Sequence, residues 1–218
     1  MGWGVATVPS LLRLALLAAF LRWKSEGPEP CKLVVFFSTC DSVEFHTSVF
    51  ASFRFAAHHR DPAEEGPFVP CALFKLHGNL TQKERAEAFF SFGRAASGAL
   101  FCTDVAARGL DFPTVTGIVQ FDPAGEASDY VHRVGRTARL GRKGEAVLFL
   151  QGGETEYLGE LQRHKVVLAE QPLGPIVDSI PGSGGRRRPG GGDVAVDNHW
   201  GAAALQAALE AFVGSQVG

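Results

Sequence analysis

A cluster of cationic side chains is the part of this sequence most suited to chemistry. The segment HRVGRTAR, from His132 to Arg139, carries four formally or potentially cationic groups in eight residues, and such a run is costly to bury without an anion. Arginine presents a planar fork of N–H donors that matches phosphate oxygens, and a guanidinium neutralises the charge that builds on a transferring phosphoryl group. We therefore predict that Arg136 and Arg139 are arginine fingers. The alternative interpretation is an exposed basic turn.

A second polar segment, TDVAARGLD at 103–111, directly follows an apolar run at 99–102. The apolar run has the length of a short buried strand. In open α/β sheets the ligand crevice lies beyond the carboxyl ends of the strands, so a hydroxyl, carboxylates and a glycine at this place favour a nucleotide or a phosphodiester. The alternative is that Thr103 or Asp104 only caps a helix.

Predicted strands and helices alternate along the chain, which indicates an α/β fold with a parallel sheet flanked by helices. Apolar, partly β-branched runs predict strands at 33–37, 72–76, 98–102, 117–121 and 146–150, with an edge strand at 165–168. Helices are predicted over about 9–23, 41–55, 81–92, 128–134 and 154–164. Thr81 and Glu84 form a capping-box pattern, and Ser128 is the predicted cap of the fourth helix.

Taken together, TDVAARGLD and HRVGRTAR resemble two motifs of the second RecA-like domain of DEAD-box RNA helicases. LVVFF at 33–37 is similar to that domain's first-strand motif, and LHGN with TQKER at 76–85 is similar to its histidine–glycine loop and its QxxR motif. GRTARLGRKGEAVLFL then continues to Leu150 as in the family, with conservative changes such as Val134 where isoleucine is common.

The resemblance implies a RecA-like, Rossmann-like domain at 31–171. We expect a lead-in helix and loop before it at 1–30, and a low-complexity linker with a short helix at 199–213 within the remainder, 172–218. The stretch 172–193 is rich in glycine and proline, includes three consecutive arginines, and has a composition that cannot bury enough apolar area to order itself. No role is assigned to the polar, proline-bearing insertion at 56–70.

The resemblance also implies a nucleotide site. In the family, two RecA-like domains close over ATP and hold one RNA strand across both, and this chain supplies one side. Arg136 and Arg139 are expected at the γ-phosphate, and Asp111, with Gly109 nearby, at the ribose. His132 and Arg133 are expected to link this site to the interdomain contacts, and ordinary helix-end structure is the alternative for these two residues.

The RNA surface implied by the resemblance consists of Gly78, Gln82, Arg85, Thr103 and Asp104. Hydroxyls, exposed backbone amides and a helix N-terminus favour contacts to phosphate and sugar, which do not read bases. We therefore expect weak RNA binding that is independent of sequence and sensitive to salt. The alternative for Gln82 and Arg85 is a capped surface helix.

The sequence contains no GxxxxGK[ST] phosphate loop and no Asp-Glu-Ala-Asp segment. Most ligands of ATP and Mg²⁺ are therefore expected from a first RecA-like domain, and this chain is expected to be the inactive carboxyl-terminal half of a helicase that unwinds or remodels RNA with ATP. The alternative is a naturally truncated, noncatalytic module that binds RNA or sequesters a partner. A Rossmann-like small-molecule binder is disfavoured because no GxGxxG follows the first strand.

Composition constrains partners and location. The net charge of −2 provides no global attraction to nucleic acid, so local groups must supply any grip on RNA. The four cysteines show no CxxC spacing, which indicates a reduced protein of the cytosol or nucleus without a metal site. The apolar run at 11–21 is too short to span a bilayer and lacks the basic flank of a signal peptide, so we predict an amphipathic packing helix and no membrane partner.

A narrower resemblance points to a cellular role. TVPSLLRLALLAAFL near the start and SVEFHTSVF in the second predicted helix are similar to nucleolar helicases of ribosome biogenesis. This resemblance implies residence in the nucleus and nucleolus, with the cytoplasm as the alternative, and pre-ribosomal particles as partners.

Overall fold

The structure is a computed structural model that describes residues 2–55, 66–107, 112, 115–137, 144–181 and 199–216. The strands are β1 (Gly2–Thr7), β2 (Lys32–Phe36), β3 (Leu73–Leu76), β4 (Gly98–Cys102), β5 (Gly117–Gln120), β6 (Glu145–Leu150) and β7 (Ala169–Glu170). Within the described ranges they form one seven-stranded sheet in the order β3-β4-β2-β5-β6-β1-β7. Every pairing in it is parallel, so the predicted sheet is confirmed.

Helices cover both faces of this sheet. They are α1 (Arg13–Ser25), α2 (Cys40–Ser52), α3 (Gln82–Arg94), α4 (Asp104–Ala107), α5 (Ala127–Val134), α6 (Glu156–Arg163), α7 (Gly174–Asp178) and α8 (His199–Gln216), with single 3₁₀ turns at Ser10–Leu12 and Gly152–Glu154. Helices α1, α2, α7 and α8 contribute to the apolar core on one face, and α3 to α6 to the core on the other. Successive side chains of a strand point to opposite faces, so Val35 of β2 enters the first core and Val34 the second.

The first strand, β1, was not predicted, because the segment 1–30 was interpreted as a helix and a loop. The structure instead places Gly2–Thr7 between β6 and β7, with Gly2 opposite Glu145 and Thr7 opposite Leu150. The segment GWGVAT contains two glycines, which are weak strand formers, so pairing with β6 decides its conformation. The predicted edge strand at 165–168 is also displaced, to Ala169–Glu170.

The middle of helix α1 has no polar face, since its charged residues, Arg13, Arg22 and Lys24, lie near its ends, which corrects the prediction of an amphipathic helix. Every residue from Ala15 to Leu21 is buried. The outer side is covered by α7 and α8: Gln206 Oε1 accepts a hydrogen bond from the Ala15 amide at 3.2 Å, and Ser179 Oγ donates to the Ala19 carbonyl at 3.3 Å. A helix without a polar face is stable in water only when other elements cover it on every side.

Part of the stretch 172–193 is ordered, contrary to the prediction from composition. Helix α7 lies at Gly174–Asp178, and Ile176, Val177 and Ile180 are buried in the same core as α1. The prediction used the average glycine and proline content of the stretch, which does not show that these three apolar side chains reach the core. The remainder of the predicted linker, 182–198, lies outside the described residues, as do 56–65 of the insertion.

Ser128 lies inside α5 rather than capping it, because the N-cap position is Glu126.

A buried imidazole makes the fold sensitive to acid. His46 of α2 packs against Phe37 at 4.5 Å and Phe121 at 4.8 Å between ring centroids, and its Nδ1 hydrogen bonds with the Ser42 carbonyl at 2.7 Å. Burial lowers the pKa of His46 from 6.5 to about 4. The unfolded chain therefore binds a proton more readily than the folded chain between these values, and the stabilisation present above pH 6.5 is lost as the pH falls towards 4.

We expect the free energy of unfolding to fall between pH 7 and pH 5 by about 2 kcal/mol through His46 alone. The variant His46→Leu removes the titrating group. Its free energy of unfolding should therefore decrease between pH 7 and pH 5 by about 2 kcal/mol less than that of the unaltered chain. Urea unfolding of both proteins at the two pH values measures the difference. Equal decreases in the two proteins would show that His46 does not carry this pH dependence.

Candidate functional site

Polar segments follow four neighbouring strands at the carboxyl edge of the sheet. Polar residues lie at 77–78 after β3, 103–104 after β4, 38–39 after β2 and 122 after β5. The next helices after β2 and β5, α2 and α5, pack on opposite faces of the sheet. This reversal leaves a crevice at the carboxyl ends of β2 and β5, which is where open α/β sheets bind ligands.

A cleft of about 320 Å³ opens beside this crevice, between β2, α4 and α5. Its lining residues are Phe36, Asp104, Ala107, Asp129, His132, Arg133 and Arg136. The predicted finger Arg136 follows α5, in a turn closed by its own amide, which donates to the Arg133 carbonyl at 3.1 Å. Thr137 then donates its hydroxyl to the Val115 carbonyl at 2.8 Å and anchors the chain directly after the finger.

Arg133 is the centre of the polar contacts at the base of this cleft. Its side chain is 3% exposed and forms a two-pronged ion pair with Asp104, Nε to Oδ1 at 2.7 Å and Nη2 to Oδ2 at 2.5 Å. Nη1 donates to Gln120 Oε1 at 3.1 Å and to the Asp122 carbonyl at 2.7 Å. The guanidinium also lies over the ring of Phe36, 5.1 Å from its centroid. One arginine therefore ties α5 to the ends of β2, β4 and β5.

His132 and Arg133, predicted to act together, point in different directions. The His132 side chain is 75% exposed, and its Nδ1 lies 4.0 Å from Asp129 Oδ1. It is thus available at the rim of the cleft, whereas Arg133 is turned into the domain. Any role of Arg133 in linking the nucleotide site to the interdomain contacts stays a prediction and would act through its partners inside the domain.

The predicted RNA residues lie along the same edge but differ in accessibility. Gly78 and Gln82 are exposed, and space is open where a Cβ of residue 78 would lie. The capping box of Thr81 and Glu84 is present and fixes the start of α3, as predicted. Thr103 is 6% exposed, and both carboxylate oxygens of Asp104 are bound by Arg133.

The sequence analysis missed a charged cluster next to Gly78. Glu44 of α2 accepts hydrogen bonds from Lys75 Nζ at 2.9 and 2.7 Å and from His77 Nε2 at 2.8 Å. The sequence placed Glu44 only within the predicted helix over 41–55, and its separation of 33 residues from His77 left no local signal of the contact.

Three predicted site residues lie outside the described residues: Gly109, Asp111 and Arg139.

The four cysteines of the chain are free thiols, and burial raises the pKa of Cys31 and Cys71. Within the described ranges no group of three or more His, Cys, Asp or Glu side chains is placed to hold a metal ion. No helix in those ranges combines the length and the apolar composition needed to cross a membrane.

Comparison with known families identifies the class of protein to which this parallel sheet, with a cleft at its carboxyl edge, belongs. The family described as "Helicase conserved C-terminal domain" matches residues 13–141, which is more than half of the chain. The chain belongs to this family, and it is a second RecA-like domain of the DEAD-box type. The resemblance inferred from the motifs is thereby confirmed.

Individual relatives agree with this placement. The chain is 47% identical over 205 residues to "DEAD-box ATP-dependent RNA helicase 17" of Oryza sativa subsp. japonica, covering 94% of this chain and 34% of that protein. It is 44% identical over 175 residues to "ATP-dependent DNA helicase DDX31" of Homo sapiens, covering 79% of this chain and 21% of that protein. The chain thus spans about a third or less of the length of these curated relatives.

A solved structure described as "Mss116p DEAD-box helicase domain 2 bound to an RNA duplex" is similar with a TM-score of 0.65 and 27% identity. The similarity covers 82% of this chain and 69% of that one. The shared region is therefore the RecA-like sheet and its helices, the part of the chain that carries the cleft.

Proposed function

We propose that this chain is the half of an ATP-dependent RNA helicase that supplies arginine fingers and a surface for the RNA backbone. The observation that carries the proposal is the cleft at the carboxyl edge of the sheet, where Arg136 and the exposed His132 stand beside the segment 103–104. Relatives that bear the name of RNA helicase, among them the rice protein, support the activity of the whole enzyme.

The nucleotide is ATP with Mg²⁺, and most of its ligands come from a first RecA-like domain. The types of residue that line the cleft suit phosphate oxygens, because Arg136 is among them and a guanidinium presents a planar fork of N–H groups. Arg136 and Arg139 would neutralise charge at the γ-phosphate, and Asp111, beside Gly109, would accept hydrogen bonds from the ribose. His132, exposed at the rim, would contact the first domain.

The RNA strand would lie along the carboxyl ends of β3 and β4. Gly78 offers an exposed backbone amide, and Gln82 and Arg85 stand in the first turn of α3, whose N-terminus favours phosphate. Thr103 is only 6% exposed, so only a small part of its surface could contact RNA. The structure described as domain 2 of Mss116p bound to an RNA duplex supports RNA as the ligand class.

We expect the 218-residue chain to bind single-stranded RNA weakly, with an affinity that falls about tenfold between 50 and 200 mM salt and does not depend on base sequence. DNA of the same sequence should bind more weakly because it lacks the 2′-hydroxyl. Fluorescence anisotropy with labelled oligonucleotides measures both comparisons. Strong base preference, or equal binding of DNA, would contradict the proposal; the DNA comparison is informative because the human relative is named a DNA helicase.

A matched pair of variants in α3 tests the proposed surface. Arg85→Ala should lower the affinity for RNA and the steepness of its salt dependence, because a cation that contacts phosphate is removed. Lys83→Ala removes an equal charge from the same helix, where Lys83 is 86% exposed and lies 3.9 Å from Glu87. A larger effect from Lys83 than from Arg85 would place the RNA elsewhere.

For the whole enzyme, we propose a role in ribosome biogenesis in the nucleolus, with pre-ribosomal particles as partners. This proposal rests on the resemblance of the segments TVPSLLRLALLAAFL and SVEFHTSVF to nucleolar helicases. Fluorescence microscopy of the tagged protein is the direct test, and exclusion from the nucleolus would overturn it. The alternative is a naturally truncated, noncatalytic module that binds RNA or sequesters a partner, and a phosphate loop encoded upstream of Met1 would argue against it.

A further inference from the structure

The loop that carries Gly78 begins at the end of an edge strand of the sheet. Strand β3 is an edge strand, paired only with β4, and its last support from that neighbour is the Thr103 amide, which donates to the Leu76 carbonyl at 3.2 Å. The loop itself contains one backbone bond, from the Leu80 amide to the His77 carbonyl at 3.3 Å. An edge strand is free to shift on its unpaired side unless side chains hold it.

Side chains hold this loop from the α2 side. Lys75 and His77 are two residues apart at the end of β3, so they point to the same face, and both are bound by Glu44. His77 is 3% exposed and donates through Nε2 to Glu44 Oε1, which accepts because a carboxylate has no proton to give. This contact selects the ring tautomer that carries its proton on Nε2.

The second ring nitrogen of His77, Nδ1, supports the same tautomer. His77 Nδ1 is buried without a hydrogen-bond partner. With the proton on Nε2, Nδ1 is a bare acceptor; the opposite tautomer would bury an unpaired N–H and place two acceptors against each other at Glu44. The carboxylate of Glu44 is itself well stabilised, because the hydrogen bond from Lys75 holds its pKa below the usual value.

We propose that Glu44 is a positioning residue for RNA binding: acting through His77, it holds the loop 77–80 and the start of α3 in the conformation that presents the Gly78 amide to a phosphate. The far end of the loop is fixed independently, since Thr81 and Glu84 form the capping box of α3. Glu44 thus anchors the near end, and the loop is held at both ends before RNA arrives. This inference rests on the proposed RNA surface.

The sign of the effect separates positioning from simple electrostatics. Removing the negative charge of Glu44 should strengthen RNA binding if only Coulomb attraction mattered. Positioning predicts the opposite, because an unanchored loop must be ordered when RNA binds. We expect Glu44→Ala to weaken RNA binding by the 218-residue chain about fivefold, with an unchanged salt slope since no cation at a phosphate is lost.

Glu87→Ala is the matched control. Glu87 is an exposed carboxylate of α3 whose nearest cation, Lys83, lies 3.9 Å away, and its removal should leave affinity unchanged or slightly higher. A double-mutant cycle between Glu44→Ala and His77→Gln should be strongly non-additive, because the two changes break the same contact. If Glu44→Ala binds RNA as tightly as the unaltered chain, or if the two effects simply add, the proposal is overturned.

Hydrogen exchange of the free protein tests the loop without RNA. In Glu44→Ala the Leu80 amide, which donates to the His77 carbonyl, should exchange faster, while amides of β6, in the other half of the sheet, keep their rates. Should this variant unfold globally, Glu44→Gln is the milder test: it keeps an acceptor for His77 but loses the charge and the second oxygen that bind Lys75, so exchange at Leu80 should rise by less. Failure of the unaltered chain to bind RNA at any salt would refute the proposed function, whereas unchanged exchange at Leu80 would refute the role of Glu44.

Discussion

Replacing Arg136 with alanine in an intact enzyme that includes a first RecA-like domain is expected to lower the rate of ATP hydrolysis by about a thousandfold. Arg136 lines the cleft at the carboxyl edge of the sheet, and the backbone around it is fixed by the turn after α5 and by the bond from Thr137 to Val115. A guanidinium on a fixed backbone can neutralise the charge that develops on the phosphate with little reorganisation of the chain, which is why its removal is costly.

The rate of phosphate release at saturating ATP and RNA measures this effect. The loss should appear mainly in kcat, because a finger that contacts the transferring phosphoryl group acts in the transition state more than in the ground state. Arg136→Lys should recover only part of the rate, since lysine keeps the charge but not the fork. Arg163→Ala, at an exposed position of α6, is the control and should retain full activity. Normal turnover by Arg136→Ala would remove Arg136 from the mechanism.

Replacing Arg133 with alanine is expected to lower the free energy of unfolding by about 3–5 kcal/mol. The change would leave the Asp104 carboxylate without the partner that binds both of its oxygens, and it would also remove the donor to Gln120 and to the Asp122 carbonyl. The cost comes mostly from these partially buried groups left unpaired, and less from the net attraction of the ion pair.

Urea unfolding of the 218-residue chain measures this cost. Arg133→Lys should show a smaller but clear loss, because an ammonium cannot bind Asp104 with two prongs and reach Gln120 at the same time. This milder variant keeps the test available if Arg133→Ala does not fold. In the double variant Arg133→Met, Asp104→Leu, part of the stability should return, since neither charge is left alone. A loss below about 1 kcal/mol for Arg133→Ala would contradict the central role of Arg133.

The sequence and the structure agree best where a single segment carries the signal. Strand β4 was predicted within its observed bounds, Gly98–Cys102, because it is a short apolar run followed by polar residues. The capping box of Thr81 and Glu84 was predicted because both halves of the motif lie three residues apart. The motifs of the second RecA-like domain carried the family assignment for the same reason, since each is contiguous.

Contacts between distant segments were not predictable in this way. The predicted contact of Asp104 with RNA stays a prediction, but no local pattern showed that Arg133, 29 residues later in the chain, binds its carboxylate. Glu44 and His77 are 33 residues apart, and nothing in either local pattern indicates that they meet. When two charged residues are far apart in the sequence, the residues next to each of them give no indication that the two side chains form an ion pair.

By itself, the amino-acid sequence determined the α/β class, the order of most strands and helices, and the membership of the helicase family, because these depend on periodicity and contiguous motifs. Only the tertiary structure decided that β1 joins the sheet and that α7 and α8 cover the outer side of α1. It also decided which charged groups face the cleft and which pair inside the domain. Burial and charge pairing depend on distances in space, and chain order alone does not specify them.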